Sequence, residues 1–268
     1  MSLRGLRKQI DKVGHRLFLL EEYASLARAQ PVPSWMRRRI LGHPASAEDW
    51  IQLLRFFDPD ESLHLIDVGA HTGAFTADFL DVFPKTKAVC IEPASVTFKR
   101  LAERYSSDER VECVRAALGS EEGEFEMTIY PESPELNSFH KYADAVSENY
   151  DTSNSQVESV PCRRIDTLSE VEGTTIVKID TQGHEVAVIE GSPGFFAGVE
   201  AVLCECSFAV EYENQAPSFA RISGLLGDVG LHPIAFQSFG NQISNYAFER
   251  DVLFVRQARL DRIFFRNY

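Results

Sequence analysis

The stretch Leu65-Ile66-Asp67-Val68-Gly69-Ala70-His71-Thr72-Gly73 reads as a buried strand that ends in a glycine turn and runs into a helix. Gly69 allows a ligand to approach the backbone closely, and the helix start that follows favours an anionic group. Asp67, at the strand end, is placed to accept loop N–H groups or to meet a ligand ammonium. His71 is expected to order the loop by hydrogen bonding. At the end of the next strand, Glu92 is followed by Pro93. An acid there suits bidentate hydrogen bonding to the ribose hydroxyls of an adenosine-containing cofactor.

Working outward, short apolar strands alternate with amphipathic helices from Ser62 onward. Leu63–Val68, Ala88–Ile91, Val111–Arg115, Thr175–Ile179 and Val199–Cys204 read as strands; Gly73–Phe83, Ser95–Tyr105, His184–Glu190 and Phe219–Val229 read as helices. Such alternation predicts an α/β fold, a mostly parallel sheet with helices on both faces. Pro233–Phe236 and Val252–Val255 have no helix between them, which predicts a terminal hairpin and one antiparallel strand. The rhythm fails between Ser120 and Val160. That segment holds ten Asp+Glu against one Lys, and apart from a strand at Glu124–Tyr130 it reads as an inserted loop or lid.

The chain has 268 residues and a formal charge of −13, with 44% hydrophobic and 25% charged residues, as in an ordinary globular protein. This acidity argues against a nucleic-acid substrate. The total joins unlike parts, because residues 1–40 hold nine Lys+Arg against three Asp+Glu. There Leu3, Leu6, Ile10, Val13, Leu17 and Leu20 recur at helical spacing opposite Arg4, Arg7, Lys8, Lys12 and Arg16. Residues 1–57 are therefore expected to be a helical extension and 58–268 the core domain. The basic helix suits packing on the core or on a second copy of the chain in a homodimer. It also suits a peripheral membrane or an anionic carrier surface. No apolar run is long enough to span a membrane and no signal-peptide pattern is present, so a cytoplasmic location is expected. Five cysteines suggest no disulfide framework. Cys204-x-Cys206 reads as two small core residues.

The glycine spacing separates two cofactor classes. Hydride enzymes favour G-x-G-x-x-G, whereas the form here, Asp67-x-Gly69-x-x-x-Gly73, resembles the S-adenosylmethionine loop of Rossmann-like methyltransferases. Further segments occur in order: Ala117-Leu118-Gly119, Arg164-Ile165-Asp166-Thr167-Leu168, Val177-Lys178-Ile179-Asp180-Thr181-Gln182-Gly183-His184-Glu185 and Ile189-Glu190-Gly191. With Ile66–Gly73 and Ile91-Glu92-Pro93 they resemble the FkbM family of S-adenosylmethionine-dependent methyltransferases, over about residues 62 to 256. The resemblance implies a Rossmann-like methyltransferase fold with a seven-stranded sheet. S-adenosyl-L-methionine would be the cofactor, with Gly69 and Gly73 beside its methionine portion and Glu92 on its ribose. It also implies O-methylation of a hydroxyl on a sugar, glycan or polyketide-like small molecule.

Asp180 closes a strand beside the first one, where ligands bind in such sheets, so it is a candidate base; His184 and Glu205 are the others. Glu185 suits a capping role or loop N–H groups, and Asp166 suits capping of the short helix beside it. Asn137 and Ser138, with His140, are candidates for a lid over the cofactor. Asp180, His184, Glu185 and Glu205 lack tight ligand spacing, and no metal is expected. Two alternatives stand beside methyl transfer, a nicotinamide oxidoreductase and a non-catalytic binding or assembly module.

Overall fold

The computed structural model describes residues 56–143, 154–168, 173–236 and 249–264. The chain divides into two units, residues 1–59 with 237–246 and residues 60–236 with 247–268. All described residues except 56–59 belong to the second unit. The expected N-terminal helices lie outside the described residues.

The central strands are apolar because both of their faces are covered. β1 (Leu63–Val68) is buried at all six positions, and β2 (Lys87–Ile91) and β7 (Thr174–Ile179) flank it in parallel register. With β3 (Val111–Val114), β8 (Ala201–Ser207), β9 (Leu231–Phe236) and β10 (Glu249–Arg256) they form a seven-stranded sheet of order β3-β2-β1-β7-β8-β10-β9. β10 runs antiparallel to both neighbours, as the late hairpin requires. The order reverses between β1 and β7, and the carboxyl ends of these strands open a crevice at the reversal.

Helices α1 (Ala74–Val82), α2 (Ser95–Tyr105), α4 (Glu185–Gly191) and α6 (Phe219–Asp228) follow β1, β2, β7 and β8; α3 (Ile165–Leu168), α5 (Pro193–Phe196) and α7 (Gln257–Phe264) are shorter additions. α1 buries Phe79 beneath Phe83, with ring centroids 4.7 Å apart. On α2 the buried Thr97, Leu101 and Tyr105 repeat at four-residue spacing, leaving Lys99, Arg100, Glu103 and Arg104 facing solvent. α2 also secures the glycine loop: the Tyr105 hydroxyl donates to Gly73 C=O at 2.7 Å, and Arg104 donates to Thr72 C=O at 2.8 Å.

The acidic segment holds the strand expected at Glu124–Tyr130, and a second strand in place of the expected loop. β5 (Gly123–Ile129) pairs antiparallel with β6 (Gln156–Arg163), which pairs with β4 (Ala117–Leu118), making a second, three-stranded sheet. Glu124 and Glu126 face outward while Met127, Ile129, Val160 and Cys162 cover a small core with Ala94 and Ala117. Part of the acidity, Glu124 and Glu126, is thus the wet face of a strand pair. β6 escapes sequence reading because Pro161 interrupts it and only two of its eight residues are buried.

Two polar anchors hold the ends of the sheet. At the carboxyl end, the buried Glu185 carboxylate accepts the N–H groups of Thr181 and Gly183 at 2.8 and 3.1 Å and the Thr181 hydroxyl at 3.0 Å. This closes the turn into α4, the capping role expected of it. At the opposite end Arg256 donates to the carbonyls of Val199, Phe196 and Val229 at 2.6, 2.8 and 3.1 Å. Asp166 lies inside α3 rather than ahead of it, and pairs with Arg164 at 2.5 Å. All five cysteines are free.

Burial raises the Glu185 carboxyl from 4.5 to about 7. The folded chain therefore keeps a proton that the unfolded chain releases, so this group favours folding at low pH. Its contribution is lost as pH rises through that window. Glu185→Gln keeps the acceptor oxygen and cannot ionise. Urea unfolding at pH 5 and pH 8 should show wild type losing about 2–3 kcal/mol more than the variant over that interval; equal losses would refute the assignment. Arg256→Leu strands three carbonyls at the far end of the sheet. Its unfolding free energy should fall by about 3 kcal/mol, with the carboxyl-end cavity unaltered in ligand titrations.

Candidate functional site

The crevice at the ends of β1, β2 and β7 holds a cavity of about 190 Å³. Its lining mixes apolar side chains, among them Val68, Ile91, Ala116, Leu118, Met127, Pro134 and Phe139, with Glu92, Glu135, Asn137, Asp180, Thr181, Gln182 and His184. Gly69 also lines it, with φ +75°. A β-carbon added there would overlap the carbonyl oxygen of Asp180, so β1 and β7 meet this closely only because the residue is glycine. Gly73, also left-handed at φ +76°, starts α1 packed under Tyr105 and off the cavity wall.

Glu92 organises the loop. Its Oε2 accepts the His71 N–H at 3.0 Å, and its Oε1 accepts the Ala94 N–H at 3.1 Å and the Thr97 hydroxyl at 2.7 Å. Burial outweighs these bonds and raises its carboxyl above the ordinary range. His71 orders the loop by hydrogen bonding through its backbone N–H, in the left-handed region at φ 51°. The ring lines the cavity, and its buried Nε2 has no hydrogen-bond partner among the described residues. Burial also lowers the imidazole from its ordinary value.

Asp67 departs from expectation. It sits wholly buried beneath the loop, off the cavity wall, and accepts the Thr76 hydroxyl at 2.6 Å in place of loop N–H groups. Its counter-ion is Lys178, opposite it in the β1–β7 register, with Nζ 3.6 Å from Oδ1. The same ammonium donates to Gly69 C=O and to Asp180 Oδ2, both at 3.1 Å. Although burial works against its charge, Asp180 and Asp67 hold Lys178 firmly protonated. Sequence reading missed Lys178; a lone charge between Val177 and Ile179 in a buried strand was the available signal.

Asp180, Gln182 and Glu205 form one constellation. The Gln182 Nε2 donates to Asp180 Oδ1 at 3.1 Å and to Glu205 Oε2 at 2.9 Å. Burial disfavours the Asp180 anion, yet Lys178 and the bonds from Gln182, Lys178 and Glu205 hold its carboxyl below the ordinary range. Glu205 is pushed well up, first by burial and then by Asp180, Glu249, Asp251 and Glu185. The two carboxyls are thus pushed apart, Asp180 towards its anion and Glu205 towards its protonated form. Asp180 lines the cavity with its side chain one-third exposed, whereas Glu205 lies behind Gln182.

His184 precedes α4 and lines the cavity with its Nδ1 3.1 Å from His140 Nε2. Burial and then His140 lower its imidazole to about 4, so it is uncharged at neutral pH. Asn137 lines the cavity while its Oδ1 accepts the Tyr130 N–H at 2.8 Å. Ser138 is fully buried off the wall, its hydroxyl donating to Gln182 C=O at 2.7 Å. These two residues belong to a packed wall that extends through Tyr142 and Tyr212, whose rings lie 4.8 Å apart. Among the described residues no group of three or more His, Cys, Asp or Glu is arranged to hold a metal ion. No helix among them is long and apolar enough to cross a membrane.

A family model described as the methyltransferase FkbM domain matches residues 67–264. A solved structure described as methyltransferase FkbM from Methylobacillus flagellatus aligns with a TM-score of 0.51 and 13% identity, over 88% of this chain and 58% of that one. This chain therefore spans less than two thirds of that protein, and at such identity the likeness speaks for the fold alone. Fibrillarin from Aeropyrum pernix, solved with S-adenosyl-L-methionine, aligns with a TM-score of 0.43 and 12% identity over 76% of this chain and 74% of its own. For the precorrin-6y C5,15-methyltransferase of Geobacter metallireducens the values are 0.42 and 8%, over 78% and 87%. No curated protein matches the chain. The family match leaves the nicotinamide alternative without support. It runs from the end of β1 through the cavity lining to the late hairpin, and by it the chain belongs to the FkbM methyltransferase family.

Proposed function

We propose that this protein transfers a methyl group to a hydroxyl of a small molecule such as a sugar, glycan or polyketide-like compound. The carrying observation is the cavity itself, whose lining joins the loop-organising Glu92 and the partly exposed Asp180. As an FkbM methyltransferase the chain takes its methyl group from S-adenosyl-L-methionine. That cofactor supplies an electrophilic carbon on a sulfonium, so that an O–C bond forms as the S–C bond breaks and the hydroxyl proton passes to a base.

The residues present fit the cofactor. Oε2 of Glu92 accepts only the His71 N–H and keeps acceptor capacity for a ribose hydroxyl, while Oε1 is filled by Ala94 and Thr97. Ile91, Leu118 and Met127 offer apolar contact for an adenine ring. The orphaned Nε2 of His71 offers a hydrogen bond near Gly69, where a methionine portion would lie. On the acceptor side Asp180 is the group that takes up the hydroxyl proton: it is held towards its anion, on the wall and fixed by Lys178. His184 serves less well as a base, because its ring is depressed to about 4 and already bonded to His140. Fixing the reacting groups in this geometry supplies most of the acceleration in such a displacement, and the base adds about 10²–10⁴-fold.

Adding S-adenosylhomocysteine should raise the melting temperature of the wild-type chain. Glu92→Gln, which loses a charged acceptor, should weaken the ligand about 10–100-fold by calorimetry. No binding to wild type at millimolar ligand would overturn the reading. In an assay following labelled methyl transfer to a panel of hydroxylated sugars and polyketide-like compounds, Asp180→Asn should slow transfer about 10²–10⁴-fold. Its S-adenosylhomocysteine affinity should change only a few-fold. A fully active Asp180→Asn chain would remove Asp180 from the mechanism.

A further inference from the structure

Gln182 occupies an unusual position for a side chain the chemistry does not name. It has a left-handed backbone, φ 51°, which costs a residue with a β-carbon about 1 kcal/mol or more and persists only where neighbours hold it. They hold it on every side. The Ser138 hydroxyl donates to its carbonyl at 2.7 Å, and the Tyr142 hydroxyl lies 3.1 Å from both its Oε1 and the Leu136 carbonyl, sharing one proton between the two acceptors. Its two amide hydrogens go to Asp180 Oδ1 and Glu205 Oε2. Side-chain oxygen and nitrogen both find partners, and the Tyr142 bond decides which end of the carboxamide faces the carboxyls.

The supporting side chains come from a separate part of the chain. Ser138 and Tyr142 follow the 3₁₀ turn Pro134–Leu136, and Tyr142 is bridged antiparallel to Tyr212 beyond β8. The Gly183 turn seats directly on the Tyr212 ring, where an added β-carbon would clash. The wall bearing Asn137 thus carries through one amide to the two carboxyls at the ends of β7 and β8.

We propose that Gln182 is a positioning residue: oriented by Ser138 and Tyr142, its carboxamide holds Asp180 and Glu205 together as the pair that receives the acceptor's proton. The proposal rests on the hydroxyl-methylation reading above, and goes beyond it in assigning how Asp180 is kept competent. The donated N–H favours the Asp180 anion. A carboxyl held alongside Glu205 shares one proton with it, since two anions so close repel each other. Other charged groups facing the pair are Lys178 and Asp67 from β7 and β1, Glu185 from α4, and Glu249 and Asp251 from β10. None of these is altered by changing Gln182.

The test is a carboxyl titration of the full chain, with aspartate and glutamate side chains labelled with carbon-13 and followed by NMR. Asp180→Asn and Glu205→Gln assign the two resonances. Gln182→Met keeps the length and removes both donors; the midpoint of Asp180 should rise by about one pH unit. Tyr142→Phe removes only the orienting hydroxyl and should move Asp180 the same way by a smaller amount. The phenylalanine variant carries the test if the methionine variant does not fold. Unmoved Asp180 titration in a folded variant would overturn the proposal. S-adenosylhomocysteine affinity measured on the same samples separates the two claims: failure of wild type to bind overturns the methyltransferase reading, whereas a shift of the carboxyl titration with affinity retained supports the positioning role.

Discussion

A buried ammonium ties the working end of this molecule together. Lys178 lies between Asp67 and Asp180 and donates to the carbonyl of Gly69, so one cation is shared by the ends of β1 and β7 and by the glycine turn. An isolated charge of this kind would be costly in a protein interior, and removing one partner of such a group is typically worse than removing all of them. The two aspartates make the cation tolerable, and the cation in turn permits two carboxylates to lie near one another. Asp67 serves as a fixed counter-charge under the loop, which leaves Asp180 as the member that faces the cavity.

The glycine turn depends on the same closeness. β1 and β7 approach until a side chain at position 69 would collide with the Asp180 backbone. Glu92 then gathers the N–H groups of His71 and Ala94, turning a loop into a rim. α2 locks that rim from behind through Tyr105 and Arg104. The clamps come from two strand–helix units, β2–α2 and β7–α4, closing on the loop of a third, β1–α1. The cavity is therefore a property of the assembled sheet edge and not of any one motif.

Much of this was legible because periodicity and glycine chemistry are local. The continuous apolar run of β1, the Asp67–Gly73 spacing and Glu92 before Pro93 specify a parallel strand, a tight turn and a carboxylate at the next strand end. Local pattern also carried the antiparallel late hairpin, since no helical period separates Pro233–Phe236 from Val252–Val255. Roles that depend on who sits opposite whom were not legible. Asp67 turned inward because Lys178 and Thr76 lie across from it, and register is not visible in one sequence. β6 went unread because its pairing with β5 buries only two of its residues. Gln182 has no role legible from sequence, because the residues that orient it, Ser138 and Tyr142, lie some forty positions earlier.

The acidity of the chain takes on a different meaning at this scale. Exposed carboxylates such as Glu124 and Glu126 account for the conspicuous charge of the second sheet, and they lie away from the cavity wall. Glu135 reaches the wall as an exposed carboxylate, whereas burial shifts several others at this end of the sheet towards the protonated form: Glu92 and Glu249 upward, Glu185 to about 7 and Glu211 to about 8. At neutral pH the formal −13 thus overstates the negative charge at this end of the sheet. On the hydroxyl-methylation reading that difference is useful. An electron-rich oxygen moving towards an electrophilic carbon needs one nearby anion to take its proton, and it is opposed by each further anion it faces. Asp180 supplies the anion, and the proton held by Glu205 removes the repulsion that a second carboxylate would add.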